Sequence, residues 1–519
     1  MAFENLPDLF QVGEYYPHPD HEDRILRYKY NKKLFKGEHH DIFTTYKDQL
    51  QRDLGPDVLY VASNIAGIIC KKSADFLFGE SPYFSAGTAN SPEQDKLNQY
   101  IEENHLHITN YESALSNAYR GDSFYKIRWG QRYGGALPPE VDPFRVFIDA
   151  QNAEYVFPQT DPGDATRIIA YHIVYPVQIE NDKYYLYVES HYPGMIRYRK
   201  FLMDAIKYDP NLGENVTFKI SEELDAGIDD VATGVPFPLV VHVPNYSTDD
   251  TWEGIDDLSE HYGLLEEINN RLTRIAAILD KHSDPAMAVP AGTLQEDENG
   301  NPLFFPGRDK IFEVMGKDEI VPQYITWDGQ LQAAFEALKH TLDQLLMNAE
   351  LPPVALGRDN SGTSGASGLS IKFRMNSLLA KIKRKRQYYE KGLKQVLFIA
   401  QLLEHAQSRK TPNFTPTIPR ITFKDGLPSD DMELAQIASI RTGGKATWSQ
   451  KTAIMVLDDK TEEQAEQELE AIKQDEQADA TVGGSISRRL ERMANGQEDT
   501  QDDGGQANEA KRLTSGGDD

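Results

Sequence analysis

Residues 252–282 read WEGIDDLSEHYGLLEEINNRLTRIAAILDKH, and the spacing of their apolar residues decides the fold. Ile255, Leu258, Tyr262, Leu265, Ile268, Leu272, Ile275 and Leu279 recur at three- and four-residue steps, which places them on one stripe of a helix over Trp252–His282. At ~1.5 Å per residue such a helix spans roughly 45 Å. Asp284–Pro285 ends it. A segment punctuated by Gly and Pro then runs to about Tyr324 and contains strand-like Ala286–Val289 and Lys310–Val314. A second helix, Gly329–Ala349, repeats the pattern with Leu331, Phe335, Leu338, Leu342, Leu345 and Leu346. Two long helices flanking a small insertion predict a hairpin with a knob at its tip.

Outward from this hairpin, Asp20–Phe78 is helical in period, through Ile25, Leu26, Tyr30, Leu34 and Phe35 and again through Val58, Val61, Ile65, Ile68, Ile69 and Phe76. Gly79 and Pro82 close it. Residues 120–250 change to short runs, Phe124–Trp129, Val146–Ile148, Ile168–Val174, Tyr184–Val188 and Leu239–Val243, which read as strands of a modest β-rich unit. Beyond the hairpin, Leu351–Ser370 is a Pro-opened, Gly/Ser-rich loop. A third helix, about Leu369–His405, has Leu378, Ile382, Tyr389, Leu393 and Leu397 on one face and a basic run, Lys381, Lys383, Arg384, Lys385 and Arg386, on the other. Ile421–Phe423 is a candidate strand, and helices are expected at Asp431–Arg441, Trp448–Leu457 and Glu462–Asp475, the second opened by a capping box of Thr447 and Gln450. From about Gln477 the chain is acidic, poor in apolar residues and expected to be disordered. The class is α+β, mainly helical.

The formal charge of −28, from 82 acidic against 54 basic residues, argues against gripping nucleic acid through many phosphate contacts, although it permits DNA to pass nearby. The single cysteine, Cys70, excludes an intramolecular disulfide framework and reads as a buried small hydrophobe. The opening MAFENLPDLF lacks a basic-then-apolar signal pattern, and no stretch approaches ~18 uncharged apolar residues, so no membrane span and assembly in the host cytoplasm are expected.

Motifs for chemistry are missing their key members. Arg441-Thr-Gly-Gly-Lys445-Ala lacks the first glycine and the hydroxyl of a phosphate loop. Ser364 and Ser367 lie in a flexible loop and not in GxSxG after a strand. His39, His40 and Asp41 have no second ligand cluster, so they read as exposed residues. Accordingly no catalytic residue, metal site or cofactor is expected. The basic run Lys381–Arg386 leaves three readings open: a solvated face, a partner for acidic groups on an adjacent subunit, or a DNA contact.

Tyr28–Gly37, Asn64–Phe78 with Gly79-Glu-Ser-Pro82, Gly121–Trp129 with Pro143–Asp149, His242–Asn245 with Trp252-Glu-Gly254, Ser367–Phe373 leading into the basic helix, and Gly443–Glu470 resemble, in order and spacing, the portal proteins of tailed bacteriophages. The likeness is greatest to those of long non-contractile-tailed, siphovirus-like phages and covers about residues 20–475.

The resemblance implies an elongated subunit with wing, stem, clip and crown, assembled as a homo-oligomeric ring, typically a 12-mer, at the portal vertex of the virion. On that pattern residues 1–250 are N-terminal helices and wing, 251–283 and 326–350 the stem helices, and 284–325 the clip. Residues 351–367 are the tunnel loop, 368–425 the long wing helix and strand, 426–478 the crown and 479–519 the acidic tail. Leu258, Leu265, Leu272, Leu338 and Leu345 are then stem-packing residues, and Leu356, Arg358, Asn360, Ser361, Thr363 and Ser364 face double-stranded DNA. The family's partners are the terminase motor, a head-completion or adaptor protein, and the major capsid and scaffolding proteins. The rival readings are another ring or scaffold protein of the virion, or a hydrolase whose site the motifs above do not reveal.

Overall fold

A computed structural model describes residues 8–474 apart from 56–57, 89–90, 181, 284–286, 291–310, 315–322, 325–330, 359–367, 425–430, 445 and 458–464. Helix and sheet are mixed, as the α+β class requires. The chain divides into two compact units, Met1–Pro428 and Ser429–Asp519.

In the first unit, β1 (Tyr15–Tyr16) precedes α1 (Glu22–Lys36), α2 (His39–Ile42), α3 (Thr44–Leu54) and α4 (Ile65–Phe78). Gly37 closes α1 in a left-handed conformation, φ 87°, its N–H donating to the Leu34 and Lys33 carbonyls. Asn64 opens α4, its side-chain oxygen accepting from the Gly67 N–H at 2.9 Å. Cys70 is buried on α4, as expected. His39, by contrast, is fully buried and not exposed: its Nδ1 accepts from Asn269 Nδ2 at 2.9 Å. β2 (Tyr83–Ser85), α5 (Pro92–Glu103) and α6 (Leu106–Arg120) follow. Sequence periodicity leaves this stretch unassigned, although Ser91-Pro92 is a legible start signal: the Ser91 hydroxyl accepts from the Gln94 N–H at 3.3 Å with Pro92 in the first turn.

Nine strands come next: β3 (Asp122–Gly130), β4 (Arg145–Gln151), β5 (Val156–Asp161), β6 (Asp164–Glu180), β7 (Lys183–Tyr192), β8 (Met195–Asp209), β9 (Glu214–Leu224), β10 (Val231–Ala232) and β11 (Val240–Pro244). A large antiparallel sheet has the order β1-β9-β8-β7-β6-β5, with β10 on β8, and a smaller one has the order β11-β3-β4. The unit is therefore larger than the five short runs predict. β8 and β9 escape the alternation test because their ladder shifts register between Leu202 and Met203 and again between Ala205 and Tyr208, and each bulge interrupts the two-residue period. Phe157, Leu186, Phe201 and Phe218 pack from this sheet against Ile25 and Tyr28 of α1 in one core.

The hairpin is present as α7 (Tyr262–Ser283) and α8 (Leu331–Asn348), with β12 (Met287–Pro290), β13 (Ile311–Val314) and β14 (Gln323–Tyr324) between them in sequence. β12 pairs in parallel with β13 and antiparallel with β14. α7 starts ten residues later than the apolar stripe suggests. The Asp256 carboxylate accepts from the Leu258 and Ser259 N–H groups at 2.8 and 2.6 Å and folds Ser259–His261 into a 3₁₀ turn first.

The third predicted helix is two: α9 (Gly368–Arg374) and α10 (Asn376–Gln407), broken at Met375, whose ψ is 1°. β15 (Arg420–Thr422) pairs antiparallel with β2. α10 crosses the main core with Tyr389, Leu393, Val396 and Leu397 fully buried, and Gly392 lets Val243 of β11 approach its backbone.

The second unit holds α11 (Asp431–Thr442), α12 (Gln450–Leu457) and a helical stretch, 465–474. Ser449 and not Thr447 caps α12, its hydroxyl accepting from the Thr452 N–H at 3.1 Å. The expected tail, 479–519, lies outside the described residues. Among the described residues no helix is long and apolar enough to cross a membrane.

Candidate channel and assembly elements

The approach to α7 is held by a buried charge cluster. Asp257 Oδ2 lies 2.5 Å from Lys385 Nζ, and Oδ1 lies 3.2 Å from Lys381 Nζ. Asn245 Nδ2 donates to the same carboxylate at 3.1 Å, and the Asp257 N–H donates to the Ala118 carbonyl at 2.8 Å. Lys385 also donates to the Ser73 hydroxyl of α4 at 2.5 Å. One aspartate, with the lysines it holds, thus joins α4, α6, the end of β11 and α10. Burial opposes its ionisation, but Lys381 and Lys385 outweigh that and hold the Asp257 carboxyl below the usual carboxylate range. Burial lowers Lys385 to about 8, even though Asp257 pulls the other way.

Close by, Gly121 and Gly254 meet back to back. A Cβ on Gly254 would land 1.9 Å from the Gly121 carbonyl oxygen, far inside van der Waals contact, and Gly121 adopts φ 91°. Asp122 accepts from His242 Nε2 at 2.6 Å, from the Gly254 N–H at 2.8 Å and from the Tyr28 hydroxyl. Sequence reading misses both Asp122 and Asp257 as organising groups. The double aspartate before the helix was the available signal.

At the same end of the hairpin, α10 also holds the second helix. Lys381 Nζ donates to the Ala349 carbonyl at 3.2 Å, placing a cation at the C-terminus of α8, where the helix dipole favours it. Arg384 Nη2 lies 2.7 and 2.8 Å from the two Glu350 oxygens. Arg386 donates to the Phe76 carbonyl at 3.1 Å and to the Lys424 carbonyl. Of the expected intersubunit basic face, Lys381 and Lys385 are buried within their own subunit, Arg386 is half-buried there, Arg384 is exposed but paired with Glu350, and Lys383 is exposed. The reason is periodicity. Residues 381 and 385 fall one turn apart on the face that α10 turns to the core.

The expected stem-packing leucines also face inward. Leu258, Leu265 and Leu345 are buried in the main core, and Leu272 and Leu338 are partly buried against it. Of the expected DNA-facing loop, Leu356 packs half-buried against that core in the 3₁₀ turn Pro353–Leu356, while Arg358 is exposed. Asn360, Ser361, Thr363 and Ser364 lie outside the described residues.

Residues 17–481 match the family described as phage portal protein, SPP1 Gp6-like. The chain belongs to this portal family. No curated protein matches it. The portal match runs through the charge cluster, the α7–α8 hairpin, the Pro353–Leu356 turn and α10, so the elements assembled around Asp257 all lie within the portal sequence.

Proposed function

We propose that this portal subunit assembles into a ring, a 12-mer, at one vertex of the capsid, and that double-stranded DNA is packaged and later ejected through its axis. The observation that carries the reading is the portal match across 17–481, which contains in order a β-rich unit, a helical hairpin with a small sheet between its helices, a loop and a long helix. In this reading α7 and α8 are the stem, 284–325 the clip, 351–367 the tunnel loop, and 426–478 the crown. The clip meets the terminase motor and afterwards a head-completion protein, and the ring docks against major capsid and scaffolding proteins. A siphovirus-like virion is the setting.

The net charge of −28 suits a conduit, because a wall that released many counterions on contact would hold DNA in place where it must slide. Arg358 offers phosphate one exposed cation per subunit at the start of the loop. Lys383, exposed on α10, is positioned to meet acidic groups of a neighbouring subunit. Electron microscopy of the purified protein is the test. Rings with a central hole are the expected result, and a population of compact monomers at micromolar concentration overturns the reading.

A further inference from the structure

Between α3 and α4, residues 58–64 run without regular structure and lie along α7. Two side chains one helical turn apart hold them there. The Thr273 hydroxyl accepts from the Val61 N–H at 2.9 Å, and Asn269 Oδ1 accepts from the Ser63 N–H at 3.0 Å. Thr273 gives its own proton to the Asn269 carbonyl at 2.8 Å, which leaves its oxygen free to accept from Val61. Asn269 and Thr273 are both fully buried.

These bonds fix the state of a histidine. A backbone N–H can only donate, so Ser63 requires Asn269 to turn its oxygen towards the segment and its amide nitrogen the other way. That nitrogen lies 2.9 Å from Nδ1 of the buried His39, and because the amide N–H can only donate, Nδ1 must accept. His39 is therefore neutral, with its proton on Nε2. Burial favours the same state and holds His39 below its ordinary range, the Leu34 carbonyl opposing this and the neighbouring His40 adding to it. No carboxylate among the described residues acts on the ring. Asp41 is paired with Lys33 of α1 at 3.0 Å and faces Lys47 of α3, while Glu266 and Glu267 of α7 lie against Tyr46 of α3, and Glu266 also against Tyr60 of the segment.

A proton on Nδ1 turns that acceptor into a donor and sets two N–H groups face to face. Asn269 can regain a bond to the imidazolium by turning its amide over, but its NH2 group then meets the Ser63 N–H. His39 and Ser63 thus compete for one oxygen, and the charged donor makes the stronger bond. The bond to Ser63 is the one lost. A buried N–H is then without a partner, and the segment must move off α7 to hydrate it.

From this competition we propose that His39 and Asn269 form an acid-operated latch, in which protonation of the imidazole releases segment 58–64 from the root of α7. The latch is closed at neutral pH. Because the folded chain holds His39 lower than an unfolded one does, its contribution is complete above pH ~6.5 and is lost as pH falls further. Arg274 with Asp53 at 3.0 Å and Asn270 with Tyr46 at 3.2 Å hold α3 to α7 by other bonds, so the opening is local. The inference does not rest on the ring reading; within that reading the latch sets how firmly the stem is rooted.

The test is hydrogen exchange of the full chain, read by mass spectrometry at pH 7.5 and 5 and corrected for the intrinsic exchange rate. Peptides holding Val61 and Ser63 are expected to lose protection about tenfold at pH 5, the loss of one buried hydrogen bond. His39→Asn puts an amide oxygen on Cγ, where Nδ1 stood, and takes no proton, so it should keep that protection at pH 5. His172→Gln removes a different buried histidine and should lose it as the unaltered protein does. An equal loss in His39→Asn overturns the latch. Should that variant fail to fold, the unaltered protein still decides: protection at Val61 and Ser63 that is the same at both pH values, or that falls only in step with the buried helix α10, overturns it as well.

Discussion

Lys385 Nζ stands 2.5 Å from Oδ2 of Asp257, and both side chains are 1% exposed. With Lys381 on the other oxygen, two ammonium groups that have left water share a single carboxylate, which ties the approach to α7 to α10, and Lys381 also holds the end of α8 through the Ala349 carbonyl. Breaking a buried pair by removing one partner leaves an uncompensated charge, which costs about 3–5 kcal/mol.

Asp257→Ala strands two cations and is therefore expected to destabilise the first unit by about that amount, whereas Lys385→Met leaves Asp257 paired with Lys381 and should cost less. The double variant should be more stable than the sum of the two losses predicts, because the second change removes a charge the first left alone. Chemical denaturation of the four proteins checks this. Additive losses would show that the two residues do not share one site.

Gly254→Ala is expected to abolish soluble expression or to lower the melting temperature severely, since its methyl group would meet the Gly121 backbone and not a movable side chain. Gly263→Ala, early in α7 with open space around its Cβ, is the control and should be tolerated. Equal behaviour of the two would refute the close approach.

Burial pushes His172 down to about 3, and its ring bonds the Ser190 hydroxyl at 2.8 Å and Gln159 Oε1 at 3.2 Å in the neutral form. An unfolded histidine titrates near ~6.5, so between the two values the unfolded chain binds the extra proton. Stability is then complete above pH ~6.5 and falls as pH drops toward 3, by about 2 kcal/mol at pH 5 for this residue. His21, lowered to about 2 by burial, has the same sign. Thermal melts at pH 7.5 and 5 should differ less for His172→Gln than for the unaltered protein. An unchanged difference would assign the acid sensitivity to other groups.

Deleting residues 360–365 should leave rings intact, because the Pro353–Leu356 turn on one side and α9 on the other are separate elements and closure entropy changes slowly with loop length. Such rings are expected to join procapsids whose DNA filling or retention fails. Arg358→Ala should show a milder form of the same defect, shrinking as salt rises because the contact it removes is screened in the unaltered protein too. Normal filling by the deletion would move the DNA-facing surface from this loop to the hairpin.

The sequence alone determined the order of elements and the type of most of them. The apolar stripe through Leu265 and Leu272, the strand runs at 146–148 and 239–243, and the helix through Tyr389 and Leu397 were legible because each repeats the period of its own secondary structure over enough residues. Ser91-Pro92 shows that a start signal without a strong stripe is easily passed over, and β8 shows that a bulged strand hides its period.

What the tertiary structure decided was the direction and partnership of charge. Along the sequence Lys381, Lys383, Arg384, Lys385 and Arg386 form one basic block, but only folding brings Asp257, 128 residues from Lys385, onto the same face of α10. The start of α7 was settled likewise, by Asp256 turning its carboxylate on the next backbone amides, and the need for Gly121 and Gly254 by a contact between the same distant segments that the Asp122 and Gly254 bond joins across 132 residues. Local periodicity reports which residues leave water. Which buried charge meets which is a long-range electrostatic choice, and it exists only once the segments have met.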